Sequence, residues 1–422
     1  MRKQIKQFFE ADSASGITLL VFLIISLIIA NSPWGPGFES LLERQIGFET
    51  PQVHLKYSAL LWINDGLMAV FFLMVGIEIK QELAHGQLSS AKKASLPIFA
   101  ALGGMLVPAG IYALFNAGTE TAHGWGIPMA TDIAFAIGIL SLLGKRVPIA
   151  LKVFLTALAI VDDLGAILVI AIFYTTELHS TYLLYALGIF VVMMFLNRLG
   201  FKSIWIYLIP GIFMWYFIHH SGIHATIAGV LTAMTIPIKG RKGGHSPIQT
   251  VEHAIATPVN FIIMPLFALA NTNIRFESGM MEGLASPLGM GIIAGLFIGK
   301  PVGITLLSWI SVKLGLSELP KGTKWFQVLA MGLMGGIGFT MSIFIALLSF
   351  SDAYHQTEAK FAILIASALS GIIGYIILRN IGKKFVSKWS GQFLSSQKLP
   401  APHSNIFVLI GYKYSYRLSK QK

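Results

Sequence analysis

Apolar residues run through this chain in blocks separated by short polar breaks. Stretches of about 20 residues recur from Gly16 to Arg379, each long enough for a helix to cross a hydrocarbon layer ~30 Å thick at ~1.5 Å per residue. Twelve such segments are expected, centred near Leu23, Ala69, Leu106, Ala134, Ile160, Phe190, Ile209, Gly229, Phe261, Ala294, Gly338 and Ala368. The pattern predicts an all-α polytopic membrane protein with the lipid bilayer as its first partner. The longest outer connection, residues 31–57, contains FETPQVHLKY (Phe48 to Tyr57), which alternates enough for a small hairpin, although a solvated loop is the plainer reading.

Composition agrees. Of 422 residues 55% are hydrophobic and 12% charged, against roughly a quarter charged in soluble proteins. A net charge of +12 would suggest nucleic acid in a soluble chain, but here the basic residues follow the loops, and no nucleic-acid partner is expected. Of 31 Lys and Arg, 26 fall in one alternate set of connections, including Arg2, Lys3 and Lys6, Lys92 and Lys93, Lys145 and Arg146, and nine from Arg379 onward. Basic loops stay cytoplasmic, so both termini are placed inside, as an even number of spans requires. The absence of cysteine excludes disulfides and thiolate metal sites. Residues 1–380 read as a single transmembrane domain and 381–422 as a basic cytoplasmic tail with no assigned role. Within that tail Asn405 to Tyr412 is apolar but too short to span.

Five ionisable residues stand where hydrocarbon should be: Asp65, Asp132, Asp162, Asp163 and Lys300. Each costs at least ~2.5 to 3.5 kcal/mol at the centre of a bilayer, so such groups face a cavity or a partner and usually serve function. Counting from the cytoplasmic span ends puts Asp162, Asp163 and Lys300 ~20 Å deep. Asp132, in GIPMATDIAF, could cap a half-helix, and Lys300 could be a purely structural ion-pair partner. The pair in ALAIVDDLGA resists a structural reading, because adjacent helical positions point ~100° apart and would need separate buried partners.

Two spans look broken. The fourth carries Gly124, Gly126 and Pro128, and the eleventh reads MGLMGGIGFTMS. Unwound backbone at membrane depth is tolerated where it lines a cavity or packs in protein, and it leaves half-helix ends with partial charges. Asp132 suits exposed N-termini there and Lys300 exposed C-termini. Spans three to five and ten to twelve form corresponding triplets, about 95–174 and 287–380, each with an interrupted middle member and entering from opposite sides. This is the pattern of inverted repeats in secondary transporters.

Carboxylates beside hydroxyls such as Thr131 offer hard oxygen ligands to a small hard cation. Two close carboxylates cannot both ionise easily, so protons and the cation compete, and competition at an alternately exposed site gives exchange. Other classes fit less well. An intramembrane aspartic protease needs facing aspartates. A magnesium-dependent prenyltransferase would want a further carboxylate where Leu164, Gly165 and Ala166 stand. GLFIGKP has the wrong spacing for a phosphate loop. A symporter would need an organic-solute pocket that no residues supply, and a channel needs no uptake-linked proton release.

The strings WINDGLMAVFFLMVGIEIKQEL (Trp62 to Leu83), ATDIAFAIGIL (Ala130 to Leu140), FLTALAIVDDLGAI (Phe154 to Ile167), FIGKPVGI (Phe297 to Ile304) and GGIGFTMSIF (Gly335 to Phe344) closely resemble the NhaA family of bacterial sodium/proton antiporters, over residues 8 to 380. The resemblance implies twelve helices with crossed, interrupted fourth and eleventh spans, an inner-membrane location, and exchange of cytoplasmic Na+ or Li+ for external H+, with no cofactor. It implies Asp163 as principal cation ligand and Asp162 as its proton-carrying neighbour, paired with Lys300 when ionised. Asp132 and Lys300 would balance the half-helix ends, and Asp65 would be a supporting charge. The outer hairpin would be a dimer contact, so a homodimer through residues 31–57 is expected. By the same resemblance Glu78, Glu82, Glu252, His253 and His224 are pH-sensing candidates at the cytoplasmic mouth. Gln249 and Thr250 depart from the basic residues of the best-studied members, and the loop Gly240 to Ser246 looks rearranged, which bears on the pH threshold. Because paired carboxylates can release more than one proton per monovalent cation, exchange is expected to be electrogenic.

Overall fold

The computed structural model describes residues 13–51, 53–175, 178–240, 246–277, 279–320 and 322–395. The N-terminal basic residues Arg2, Lys3 and Lys6, residues 241–245 of the loop expected to be rearranged, and the tail beyond Ser395 with Asn405 to Tyr412 lie outside the described residues. By contacts the chain divides into Met1–Arg379 and Asn380–Lys422, and the helical body is the first of these.

In chain order the helices of nine residues or more are α1 (Ser13–Ala30), α2 (Gly35–Glu43), α3 (Ala59–His85), α4 (Ala91–Asn116), a tightly wound 3-10 segment (Glu120–Met129), and α5 (Ile133–Leu142). There follow α6 (Ile149–Phe173), α7 (Ser180–Arg198), α8 (Trp205–His219), α9 (Ile227–Thr235), α10 (Pro247–Asn271) and α11 (Pro287–Lys313). The last are α12 (Trp325–Gly335), α13 (Phe339–Ser349) and α14 (Ala353–Ser395). Seven of these segments, α3, α4, α6, α7, α10, α11 and the first part of α14, are each long and apolar enough to cross a membrane. The 3-10 segment with α5, and α12 with α13, meet that condition only as bent pairs, at 43° and 52°. Large apolar side chains point outward, among them Leu184 on α7 (66% exposed) and Ile212 on α8 (65% exposed), a surface that is stable against lipid and not against water. The chain is an all-α, multi-pass membrane protein.

Two features of the long outer connection differ from the expected loop. Pro36 opens a short helix, α2, which folds back from α1 at 110° because proline suits the first helical turn. The hairpin forms, but its paired strands are β1 (Gln45–Ile46) and β2 (Tyr57–Ser58), wider apart than Phe48 to Tyr57, with an inner bridge between Glu49 and His54. Gly47 is the reason: at φ +119° it breaks the ladder where a side chain would collide with the Leu55 carbonyl.

Among the described residues three spans carry π turns, which insert an extra residue and re-aim the side chains around it: Trp62–Leu67 in α3, Val259–Ile263 in α10 and Gly295–Gly299 in α11. Asp65 lies inside the first, Asn260 inside the second, and Lys300 immediately follows the third. No periodicity in the sequence announces them.

α4 and α11 cross at Gly103 and Gly303, where a Cβ on either would sit about 2 Å from the other's carbonyl oxygen (2.0 and 2.1 Å). Small residues permit such backbone contact between membrane helices. Gly103→Ala is therefore expected to lower stability by about 1–3 kcal/mol through overpacking. Gly110→Ala on the same helix, where a Cβ meets nothing within 4 Å, should be neutral. Thermal unfolding in detergent measures both, and equal melting temperatures for the two variants would remove the close crossing from the account.

Candidate functional site

The two interrupted spans meet at their breaks. Residues 130–132, between the 3-10 segment and α5, lie against Gly336–Gly338, between α12 and α13, and the Asp132 backbone N–H donates to the Ile337 carbonyl at 2.7 Å. Each break leaves one helix C-terminus and one N-terminus inside the protein, with their carbonyls and N–H groups lacking intrahelical partners. Side chains from the break at 130–132 and from α11 meet that demand.

Asp132 serves the N-termini. As N-cap of α5 its Oδ1 accepts from the Phe135 N–H at 2.9 Å, while Oδ2 accepts from the N–H of Thr340 on α13 at 3.1 Å and from the Thr340 hydroxyl. One carboxylate thus caps two half-helices, a placement that the helix dipole favours. Lys300 serves a C-terminus, its Nζ donating to the carbonyl of Met129, the last residue of the 3-10 segment. At the other C-terminus the Thr131 hydroxyl lies 2.9 Å from the Gly335 carbonyl.

The adjacent aspartates of α6 part company, as positions ~100° apart must. Asp162 points to Lys300, with Nζ and Oδ2 2.6 Å apart and both side chains wholly buried. Its Oδ2 also accepts from the Thr131 hydroxyl at 2.6 Å. Thr131 has a single hydroxyl proton and two acceptors in reach, so it serves Asp162 or Gly335 but not both. Asp163, 2% exposed, points into a cavity of about 250 Å³ that is also lined by Thr131, Asp132, Thr340, Asn260 and Glu78. Oδ1 of Asp162 and Oδ1 of Asp163 are buried without hydrogen-bond partners among the described residues. A buried carboxylate oxygen in that condition calls for a proton or a cation.

The remaining sequence candidates separate into two groups. Asp65 lies at the far end of α3 from Glu78, between His219 (3.0 Å) and His224 (3.4 Å). Thirteen residues of helix, ~20 Å, divide it from Glu78. His224 is thus not grouped with Glu78, Glu82, Glu252 and His253 as expected, a correction to its place: α9 begins just beyond it and carries it to Asp65, where its Nδ1 also lies 2.9 Å from the Thr226 hydroxyl. Glu78 lines the cavity. Glu82 accepts from the Gln87 N–H at 2.6 Å, Glu252 accepts from Gln81 at 2.6 Å, and His253 is exposed. Gln249 and Thr250 are occupied in starting α10, Gln249 in a capping box with Ser246 and Thr250 donating to the Ser246 carbonyl at 3.1 Å.

Sequence reasoning missed Thr340 and Asn260. Thr340 carried a faint signal, lying two residues past the glycine run of the eleventh span. Asn260, in an apolar run, carried only its own polarity.

The sequence profile of a family described as Na+/H+ antiporter 1 matches residues 6–378. The chain is 61% identical over 377 residues to a Flavobacterium johnsoniae protein named Na(+)/H(+) antiporter NhaA 2, covering 89% of this chain and 92% of the relative. It is 50% identical over 381 residues to Na(+)/H(+) antiporter NhaA of Flavobacterium psychrophilum, covering 90% and 97%. The protein of that name from Pectobacterium carotovorum is 48% identical over 385 residues, again covering 90% and 97%.

Because removing one partner of a buried ion pair strands the other, Lys300→Met and Asp162→Asn are each expected to cost about 3–5 kcal/mol. The double variant should cost clearly less than their sum. Unfolding of the four proteins in detergent closes this cycle, and losses that add within about 0.5 kcal/mol would mean the two groups do not interact.

Proposed function

This chain belongs to the Na+/H+ antiporter 1 family, and from that membership we propose that it is a secondary transporter exchanging cytoplasmic Na+ or Li+ for external H+ at Asp162 and Asp163. The observation that carries the site is the division of labour between two adjacent buried carboxylates. One is held at Oδ2 by a lysine and a threonine; the other lines a cavity, and each keeps an Oδ1 without a hydrogen-bond partner among the described residues.

In this reading Asp163 is the principal cation ligand, helped by the neutral and anionic oxygens of Thr131 and Asp132. A hard monovalent cation is well served by carboxylate and hydroxyl oxygens in a site that excludes most water. With Asp163 protonated the cation has no counter-charge and leaves; with the cation bound the proton leaves. Asp162 is the second proton carrier. When it is protonated it no longer balances Lys300, and its hydroxyl can donate to Thr131, freeing the Thr131 proton for Gly335. Two protons for one monovalent cation move net positive charge inward, so exchange is electrogenic. Asp132 and Lys300 balance the half-helix ends and keep the breaks in register. Asp65, between two histidines, is a supporting charge away from the ion.

The same reading extends outward from the site. The chain crosses the bacterial inner membrane twelve times with both termini cytoplasmic, and the spans around residues 95–174 and 287–380 are inverted repeats whose interrupted members cross. Movement of these repeats exposes the site to either side in turn. Glu78, Glu82 and Glu252, with His253 nearby, tune activity to cytoplasmic pH. The outer hairpin joins two copies into a homodimer. Together these assign the protein to sodium and pH homeostasis.

Inverted vesicles with an imposed pH gradient test the core of this. Added Na+ should dissipate the gradient in the wild type and not in Asp163→Asn, and an imposed membrane potential should change the wild-type rate. Retained exchange in the variant would take Asp163 out of the site, and indifference to potential would make exchange electroneutral.

A further inference from the structure

The N-terminus of α13 lacks a cap of its own. Its N-cap residue is Gly338, with no side chain to offer, so the first N–H groups of the helix must find acceptors elsewhere. Two of them do so on different elements. The Thr340 N–H goes to Asp132, and the neighbouring Phe339 N–H goes to the hydroxyl of Ser367 on α14 at 3.1 Å. Ser367 is 7% exposed, and no sequence pattern marked it. Ser370, one turn further along the same helix, is wholly buried beside the break: a Cβ on Gly336 would come within 2.9 Å of its oxygen. The Ser370 hydroxyl has no hydrogen-bond partner among the described residues.

We propose that Ser367 is a positioning residue for the cation site, acting through α13 on Thr340 and Asp132. The half-helix end is gripped from both sides, by Asp132 at Thr340 and by Ser367 at Phe339. Without the serine oxygen the Phe339 N–H is left in a dry interior, and Asp132, already accepting three hydrogen bonds, is the carboxylate bound to the adjacent residue. Relief of the stranded donor therefore draws on an oxygen that lines the cation cavity, or tilts Thr340 away from it. In either case the cation meets a poorer set of ligands. Ser367 touches no transported ion in this scheme, and the inference rests on the exchange reading given above.

The test is Na+/H+ exchange by the purified full chain in proteoliposomes, measuring the half-saturating Na+ concentration, the maximal rate and the melting temperature. Ser367→Ala should raise the half-saturating Na+ concentration about tenfold, the usual effect of one stranded hydrogen-bonding group, with a smaller change in maximal rate. Ser367→Cys, which keeps the shape but accepts weakly, should fall between. Ser370→Ala removes a hydroxyl with no hydrogen-bond partner among the described residues and should stay within about twofold of wild type, controlling for packing near the break. An unshifted half-saturation in Ser367→Ala overturns the proposal, as does an equal shift in Ser370→Ala. If Ser367→Ala does not assemble, an unshifted Ser367→Cys overturns it. Wild-type protein that performs no exchange overturns the functional reading itself, and the positioning role falls with it.

Discussion

Hydrocarbon tolerates no unmatched charge, and this protein holds four ionisable side chains, Asp132, Asp162, Asp163 and Lys300, in one region where none is more than 2% exposed. Much of the surrounding architecture answers that demand. Asp132 is matched by the N-termini of two half-helices, Asp162 by Lys300 and Thr131, and Lys300 in part by the carbonyl end of the 3-10 segment. Breaking two helices inside a membrane is costly by itself. Here the breaks expose partial charges that the four side chains need, and the side chains satisfy backbone groups that the breaks release. Asp163 lines the cavity with an Oδ1 that has no hydrogen-bond partner among the described residues, and that residue is where the proposed exchange places the ion.

The proposed exchange requires the machinery to move, and the arrangement offers a way for it to do so. An unbroken helix is stiff, whereas each interrupted span is held at its break by a handful of hydrogen bonds, among them Asp132 N–H to Ile337 and Thr131 to Gly335. Thr131 has one proton for two acceptors, so the protonation state of Asp162 and the bonding of the α12 end are linked through a single hydroxyl. In the proposed cycle that link gives a proton on a side chain a direct way to be felt by a helix terminus. In that cycle the closely packed Gly103–Gly303 crossing would supply the frame against which the breaks shift.

Much of this was legible before any coordinates, because charge in an apolar run is so expensive that it announces itself. Asp65, Asp132, Asp162, Asp163 and Lys300 stood out for that reason, and the interrupted spans stood out by their glycines and proline. Thr340, Asn260 and Ser367 did not, since neutral polar residues cost little in a membrane helix and occur there for many reasons. The π turns that carry Asp65, Asn260 and the approach to Lys300 were invisible, because one inserted residue hardly disturbs a fully apolar pattern. The hairpin was readable as an alternation but not its register, which depends on the positive φ of Gly47. His224 was misplaced because its position follows from how α9 packs on α3, information that spacing along the chain does not contain.

The central claim is that the buried aspartates hold hydrogen ions or an alkali cation in competition. Calorimetric titration of the purified protein with Na+, repeated in buffers of different ionisation enthalpy, counts the protons released per ion bound. The account predicts that each Na+ expels at least one proton and that apparent affinity weakens as pH falls. Sodium binding with no proton release, at an affinity indifferent to pH, would contradict it.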